Sequence, residues 1–136
     1  MKTYFADTSY YISVLSPKDA FHGLAVELAG RKDVAVVTTT YVLMELAAYF
    51  ARPPQRANLI LFVDRLRQAS NLTIVPCDAE LFDKGWDRYS RHIDKGWSLV
   101  DCISFLIMEA RGLREALATD RHFIQAGFQT LPEDLS

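Results

Sequence analysis

Short apolar runs, rich in β-branched and aromatic residues and separated by stretches with helical spacing, constrain this chain more than any other feature. The runs are Lys2–Ala6, Val34–Thr38, Leu72–Val75, Glu115–Thr119 and Phe128–Leu131. Val34-Ala35-Val36-Val37-Thr38 has no polar alternation, which suits a parallel strand covered on both faces. Thr8 or Ser9 can cap a helix over Tyr10–Leu15. Ser16-Pro17 breaks it, and a second helix restarts from Lys18, with Ala20, Phe21, Leu24, Ala25 and Leu28 on one face and Gly30 at its end. Thr39 or Thr40 caps Tyr41–Ala51, and Arg52-Pro53-Pro54 precedes a helix over Gln55–Ala69. Asp78 starts a helix from Ala79 to about Ile93; Ser98–Arg111 follows, closed by Gly112, and Asp120–Ala126 is a short last helix before the tail. Strands alternating with helices over residues 1–136 predict one α/β domain. Its architecture should be a three-layer α/β/α sandwich around a mainly parallel, roughly five-stranded sheet with right-handed crossovers.

Half the residues are hydrophobic and 24% are charged, the balance of a globular chain that can bury a core. No apolar run approaches the roughly 18 residues of a membrane span, and no apolar h-region precedes Asp7, so the expected location is the cytoplasm, with no membrane contact. Cys77 and Cys102 have apolar neighbours and no metal-type spacing, and read as reduced buried thiols. A net charge of −2 excludes a protein that grips nucleic acid with its whole surface. Any such contact must be local, carried by a metal, or helped by a partner.

Four acids stand in unusual places. Asp7 and Asp120 each follow directly on an expected strand; Glu45 lies inside Val42-Leu43-Met44-Glu45-Leu46, and Asp101 inside Leu99-Val100-Asp101-Cys102-Ile103. A carboxylate in an apolar helix is costly to bury alone, and no Lys or Arg stands three or four residues from Glu45 or Asp101. Both lie near helix N-termini, which share the sheet edge with strand C-termini, so all four can face one crevice. Two such charges about 4 Å apart repel by roughly 4 kcal/mol at an effective dielectric near 20. Protons or a cation must relieve that, and oxygen-only ligands favour Mg²⁺, with Mn²⁺ as substitute. Each acid also has a local reading: Ser98 and Asp101 as a capping box, Asp120 as a helix cap, Asp7 in an Asx-turn, Glu45 facing solvent.

Ala6-Asp7-Thr8-Ser9, Val42-Leu43-Met44-Glu45-Leu46, Ser98-Leu99-Val100-Asp101-Cys102 and Ala118-Thr119-Asp120-Arg121-His122-Phe123, in this order and over nearly the whole chain, resemble the PIN-domain family, and within it the toxins of toxin–antitoxin pairs. The resemblance implies a PIN-like fold and a Mg²⁺-dependent endoribonuclease acting on single-stranded or loop RNA. It also implies homodimerisation and inhibition by a small antitoxin. Asp7, Glu45, Asp101 and Asp120 would be catalytic and hold one or two metal ions, supported by Thr8, Ser9, Ser98 and Thr119. A housekeeping RNA-processing nuclease of the same family, or a catalytically silent partner-binding module, are the alternatives.

No histidine is needed: His22 and His92 read as surface or packing residues, and His122 could approach the crevice. Lys84, Arg88, Arg91 and Lys95 form one helical stripe that could meet RNA phosphates, or a solvated face paired with Asp83, Asp87 and Asp94. Trp86, Tyr89 and Trp97 could stack bases or fill the core. A phosphohydrolase using Asp7 as nucleophile fits less well, because Ser9 stands where that chemistry wants a second acid. Leu59-Ile60-Leu61-Phe62-Val63 is apolar around too much of a helix for one face to bury it, as a dimer or antitoxin groove, or a helix buried between the core and a neighbouring element, would explain.

Overall fold

The computed structural model describes residues 1–132; the expected tail, 133–136, lies outside the described residues. The elements are β1 (Lys2–Ala6), α1 (Thr8–Leu15), α2 (His22–Ala29), β2 (Val34–Thr39), α3 (Thr40–Tyr49), α4 (Gln55–Gln68), β3 (Leu72–Val75), α5 (Ala79–Arg91), α6 (Leu99–Ala110), β4 (Glu115–Leu117), α7 (His122–Gln125) and β5 (Gln129–Leu131). The strands form one sheet in the order β3-β2-β1-β4-β5, with every pairing parallel. β1 is central: Phe5 registers against Val37 on one side and Ala116 on the other. That position explains why Tyr4, Phe5 and Ala6 are buried.

β1→β2→β3 steps one way and carries α1–α4, and β3→β4→β5 steps back and carries α5–α7, so crossovers of the one usual hand put the two groups on opposite faces. Helix packing sorts the same way, α1 against α2 and α3, and α5 against α6. The expected α/β/α sandwich is therefore the fold. On the α5–α7 side, Phe105 meets Phe123 edge-on with ring centroids 4.9 Å apart, and Phe123 lies 6.2 Å from Phe5, so one aromatic column ties α6, α7 and β1 together. α5 approaches α6 at Gly85, where a Cβ would stand 2.3 Å from Ile103 Cγ1. No helix among the described residues is long and apolar enough to cross a membrane.

Four local expectations change. No helix restarts at Pro17 or Lys18: Asp19 Oδ1 accepts from the Phe21 amide at 2.8 Å, and Asp19 N–H and its carbonyl close turns with Ser16 and His22. The side chain offers the backbone a turn in place of the helix, so α2 begins only at His22. Of its expected apolar face, Ala25 alone is fully buried, because α2 packs chiefly on α1. α1 is capped not by Thr8 or Ser9 but by Asp7, one residue earlier. β4 ends at Leu117 rather than Thr119, whose amide instead serves the site described below. Cys102 is buried as expected; Cys77 is exposed, because the chain leaves the sheet edge after β3 and sets its thiol against the Thr40 hydroxyl.

Candidate active site

The sheet order reverses direction at β1, the neighbour of both β2 and β4, and such a switch point leaves a crevice at the carboxyl ends of the strands. Asp7 sits there. Its amide donates to Leu117 O of β4 at 2.9 Å, which fixes its backbone between the two strands. Its Oδ2 accepts from the Ser9 amide at 3.1 Å and the Ser9 hydroxyl at 2.7 Å. Ser9 Oγ in turn accepts from the Thr119 amide at 3.0 Å, so a single hydroxyl links the end of β1 to the end of β4.

The other acids are set by helix starts. Ser98 and Asp101 form a reciprocal capping box: Ser98 Oγ accepts from the Asp101 amide, and Asp101 Oδ2 from the Ser98 amide, both at 3.0 Å. Asp120 Oδ1 accepts from the His122 amide at 3.0 Å at the entry to α7. Thr39 caps α3 through the Val42 amide, which holds Glu45 on the turn facing the crevice. The local reading of the aspartates therefore holds, and it leaves them facing one crevice. Each aspartate spends one oxygen on the backbone, and capping sets the direction of the other.

Asp7, Glu45, Asp101 and Asp120 line one cleft of about 520 Å³ with Thr8, Ser9, Ser98 and His122. Asp7 is only 2% exposed and Asp101 4%. Burial, then the charges of Asp101 and Asp120, push the Asp7 carboxyl up to about 8, against hydrogen bonds from Ser9 that pull it down. Burial likewise raises Asp101, opposed by the Ser98 amide, and raises Glu45. The Thr8 hydroxyl beside Glu45 partly offsets that rise, although no hydrogen bond of normal geometry joins them.

Asp7 Oδ1 is buried with no hydrogen-bond partner among the described residues. An orphaned carboxylate oxygen facing like charges is costly unless a proton or cation answers it. Ligand atoms of Asp101, Asp120 and His122 lie within 4.8 Å of one another, close enough to share an ion. This donor set of mostly hard oxygens fits Mg²⁺ or Mn²⁺. His122 is the residue that sequence reasoning set aside: its Nδ1 stands 2.8 Å from Asp101 Oδ2. Its place two residues after Asp120, opening a helix, was the available signal.

The model of the PIN-domain family matches residues 4–129. The chain belongs to the PIN-domain family. Over 125 residues, covering 91% of this chain and 94% of the relative, it is 33% identical to the 23S rRNA-specific endonuclease VapC20 of Mycobacterium tuberculosis. The crystal structure of that sarcin–ricin-loop-cleaving toxin superposes with a TM-score of 0.81 at 30% identity, covering 91% of this chain and 95% of the other. DNA-bound VapBC from Salmonella typhimurium shares the fold, with a TM-score of 0.64 at 16% identity over 96% of this chain and 97% of the other.

Elsewhere on this PIN domain, the basic stripe stays outside the acid cleft, with Lys84, Arg88 and Arg91 on α5 and Lys95 in the turn beyond its end. Lys84 pairs with Glu80 at 2.9 Å rather than with Asp83, Arg91 with Asp87 at 2.8 Å, and Lys95 with Asp94 at 3.6 Å. Arg88 turns inward: its side chain is 15% exposed, bonded to Glu109 at 2.7 Å and set over the Phe105 ring. Trp97 is a core residue against Phe105, whereas Phe82, Trp86 and Tyr89 stack on the surface of α5. His22 bonds to the Ser13 carbonyl, and His92 packs on Trp97, both outside the cleft. On α4, Leu59 is buried and Ile60 and Leu61 are exposed.

Proposed function

We propose that this PIN domain is a metal-dependent endoribonuclease that hydrolyses a phosphodiester in single-stranded or loop RNA, the toxin of a toxin–antitoxin pair. The observation that carries this reading is the cleft itself: four carboxylates from β1, α3, α6 and the β4–α7 turn, with Asp7 Oδ1 buried and unpartnered among them. Asp7, Glu45, Asp101 and Asp120 would hold Mg²⁺ or Mn²⁺. When bound, the ion supplies Lewis acidity and offsets phosphodiester charge.

The chain's own residues do the rest. Ser9, held by Thr119, keeps Asp7 oriented, and Ser98 keeps Asp101 oriented. Glu45, half-buried, is raised by burial in the metal-free cleft, so a bound cation would relieve it as it would the aspartates. The bare cleft repels RNA phosphates, so substrate approach depends on the metal. The relative's action on 23S rRNA at the sarcin–ricin loop makes a structured ribosomal loop the proposed substrate. VapBC complexes of the same fold support an antitoxin as partner; the homodimer is proposed from the family resemblance, and exposed Ile60 and Leu61 on α4 are apolar enough to serve one of the two.

The test is cleavage of a synthetic stem–loop with the sarcin–ricin sequence, with the cut mapped by end-labelling. One cut within the loop, present in Mg²⁺ and lost in EDTA, is expected. An intact loop, incubated with protein that demonstrably takes up Mn²⁺, refutes the substrate proposal.

A further inference from the structure

His122 touches two acids with two different groups. Its backbone amide donates to Asp120 Oδ1 at 3.0 Å, and its ring Nδ1 stands 2.8 Å from Asp101 Oδ2. The ring is 3.9 Å from Asp120 Oδ2, beyond hydrogen-bond reach, so Asp101 is its partner. Asp101 Oδ2 also accepts from the Ser98 amide. Both bonds fall on the same oxygen, and no hydrogen bond among the described residues reaches Oδ1.

The ring is not placed by chance. Phe123, the next residue, is fully buried between Phe5 and Phe105, which docks the first turn of α7 onto α6. The other ring nitrogen, Nε2, lies toward Gly96, 4.0 Å from where a side chain there would begin.

We infer that His122 is a positioning residue: its Nδ1–H, together with the Ser98 amide, pins Asp101 Oδ2 and leaves Oδ1 as the oxygen offered to the metal. The inference rests on the metal-site reading of the cleft. An ionised carboxylate only accepts hydrogen bonds, so in the metal-loaded site the ring nitrogen must be the donor. A partner of this kind fixes the orientation of a ligating carboxylate, and its loss typically costs 10–100-fold in metal affinity. The competing role is direct ligation by a ring nitrogen, which the spacing of the cluster permits.

An Asn amide can occupy the place of Nδ1–H, and a Gln amide that of Nε2, so substitution together with the spectrum of bound Mn²⁺ separates the two roles. Mn²⁺ affinity is measured by calorimetry on the wild type and on His122→Phe, His122→Asn and His122→Gln, with folding checked by melts in EDTA. His122→Phe should bind about 10–100-fold more weakly, and His122→Asn should return to within about threefold of wild type. In the wild type, electron spin echo spectra of bound Mn²⁺ should show no imidazole nitrogen coupling. Unchanged affinity in His122→Phe, an imidazole coupling in the wild type, or failure of His122→Asn to recover affinity overturns the inference alone. Failure of the wild type to take up Mn²⁺ overturns the metal reading and this inference with it.

Discussion

Asp7→Asn should abolish RNA cleavage and yet make the metal-free protein more stable. Asp7 is buried, and its carboxyl is pushed up to about 8 by burial and by Asp101 and Asp120, from an ordinary 3.8. A group whose folded value is raised contributes its stability in full below the unfolded value and loses it as pH rises toward the folded one. Each pH unit across that window costs about 1.4 kcal/mol, so by pH 7 the metal-free fold has lost about 4 kcal/mol through this one residue, less whatever water in the cleft screens. Asn does not titrate. Its carbonyl can accept both Ser9 hydrogen bonds, and its amide would face the neighbouring carboxylates where Oδ1 now has no partner. Urea unfolding in EDTA should therefore show the variant more stable by a few kcal/mol at pH 7.5, with the gap closing as pH falls to 4. Added Mn²⁺ at about 100 times its dissociation constant should return about 2.7 kcal/mol to the wild type only. A variant less stable than wild type at pH 7.5 in EDTA would refute the electrostatic account of the cleft.

Other consequences concern the frame around it. Ser9→Ala removes the hydroxyl shared by Asp7 and the Thr119 amide and leaves that amide unsatisfied; it should cost about 1–3 kcal/mol and lower Mn²⁺ affinity, read by urea unfolding and calorimetry. Ser98→Ala deletes half of the α6 capping box and should cost about 1 kcal/mol in the same unfolding assay. Gly85→Ala drives a methyl to within 2.3 Å of Ile103 Cγ1 at the α5–α6 contact and should cost about 1–3 kcal/mol in thermal melts, with cleavage retained at low temperature.

The fold was legible because its signals are local and redundant. Val34–Thr38 can only be a buried strand, Asp78 and Thr39 cap the helices they precede, and the alternation of elements leaves a parallel sheet as the economical arrangement. The gathering of the four acids was legible for a similar reason: parallel topology forces strand ends and helix starts to one edge, and Glu45 and Asp101 have no cation within their own helices. What escaped the sequence depended on tertiary placement. Pro17 signals a helix start, but the Asp19 turn overrides it. Arg88 has the spacing of a surface stripe, yet the depth of the α5–α6 contact turns it inward onto Phe105 and Glu109. His122 is marked in the sequence only by its place two residues after Asp120; its contact with Asp101 arises when Phe123 seats α7 against α6.

The central claim is that phosphodiester cleavage resides in the four-acid cleft and needs a metal. Wild type and Asp101→Asn, prepared identically, should be incubated with a fluorogenic loop RNA in Mg²⁺, in Mn²⁺ and in EDTA. Asn keeps the shape of Asp101 and removes its charge. Cleavage by the wild type in either metal, none in EDTA, and none by the variant under any condition is the predicted result. Equal cleavage by both proteins, or wild-type cleavage that persists in EDTA, would contradict it.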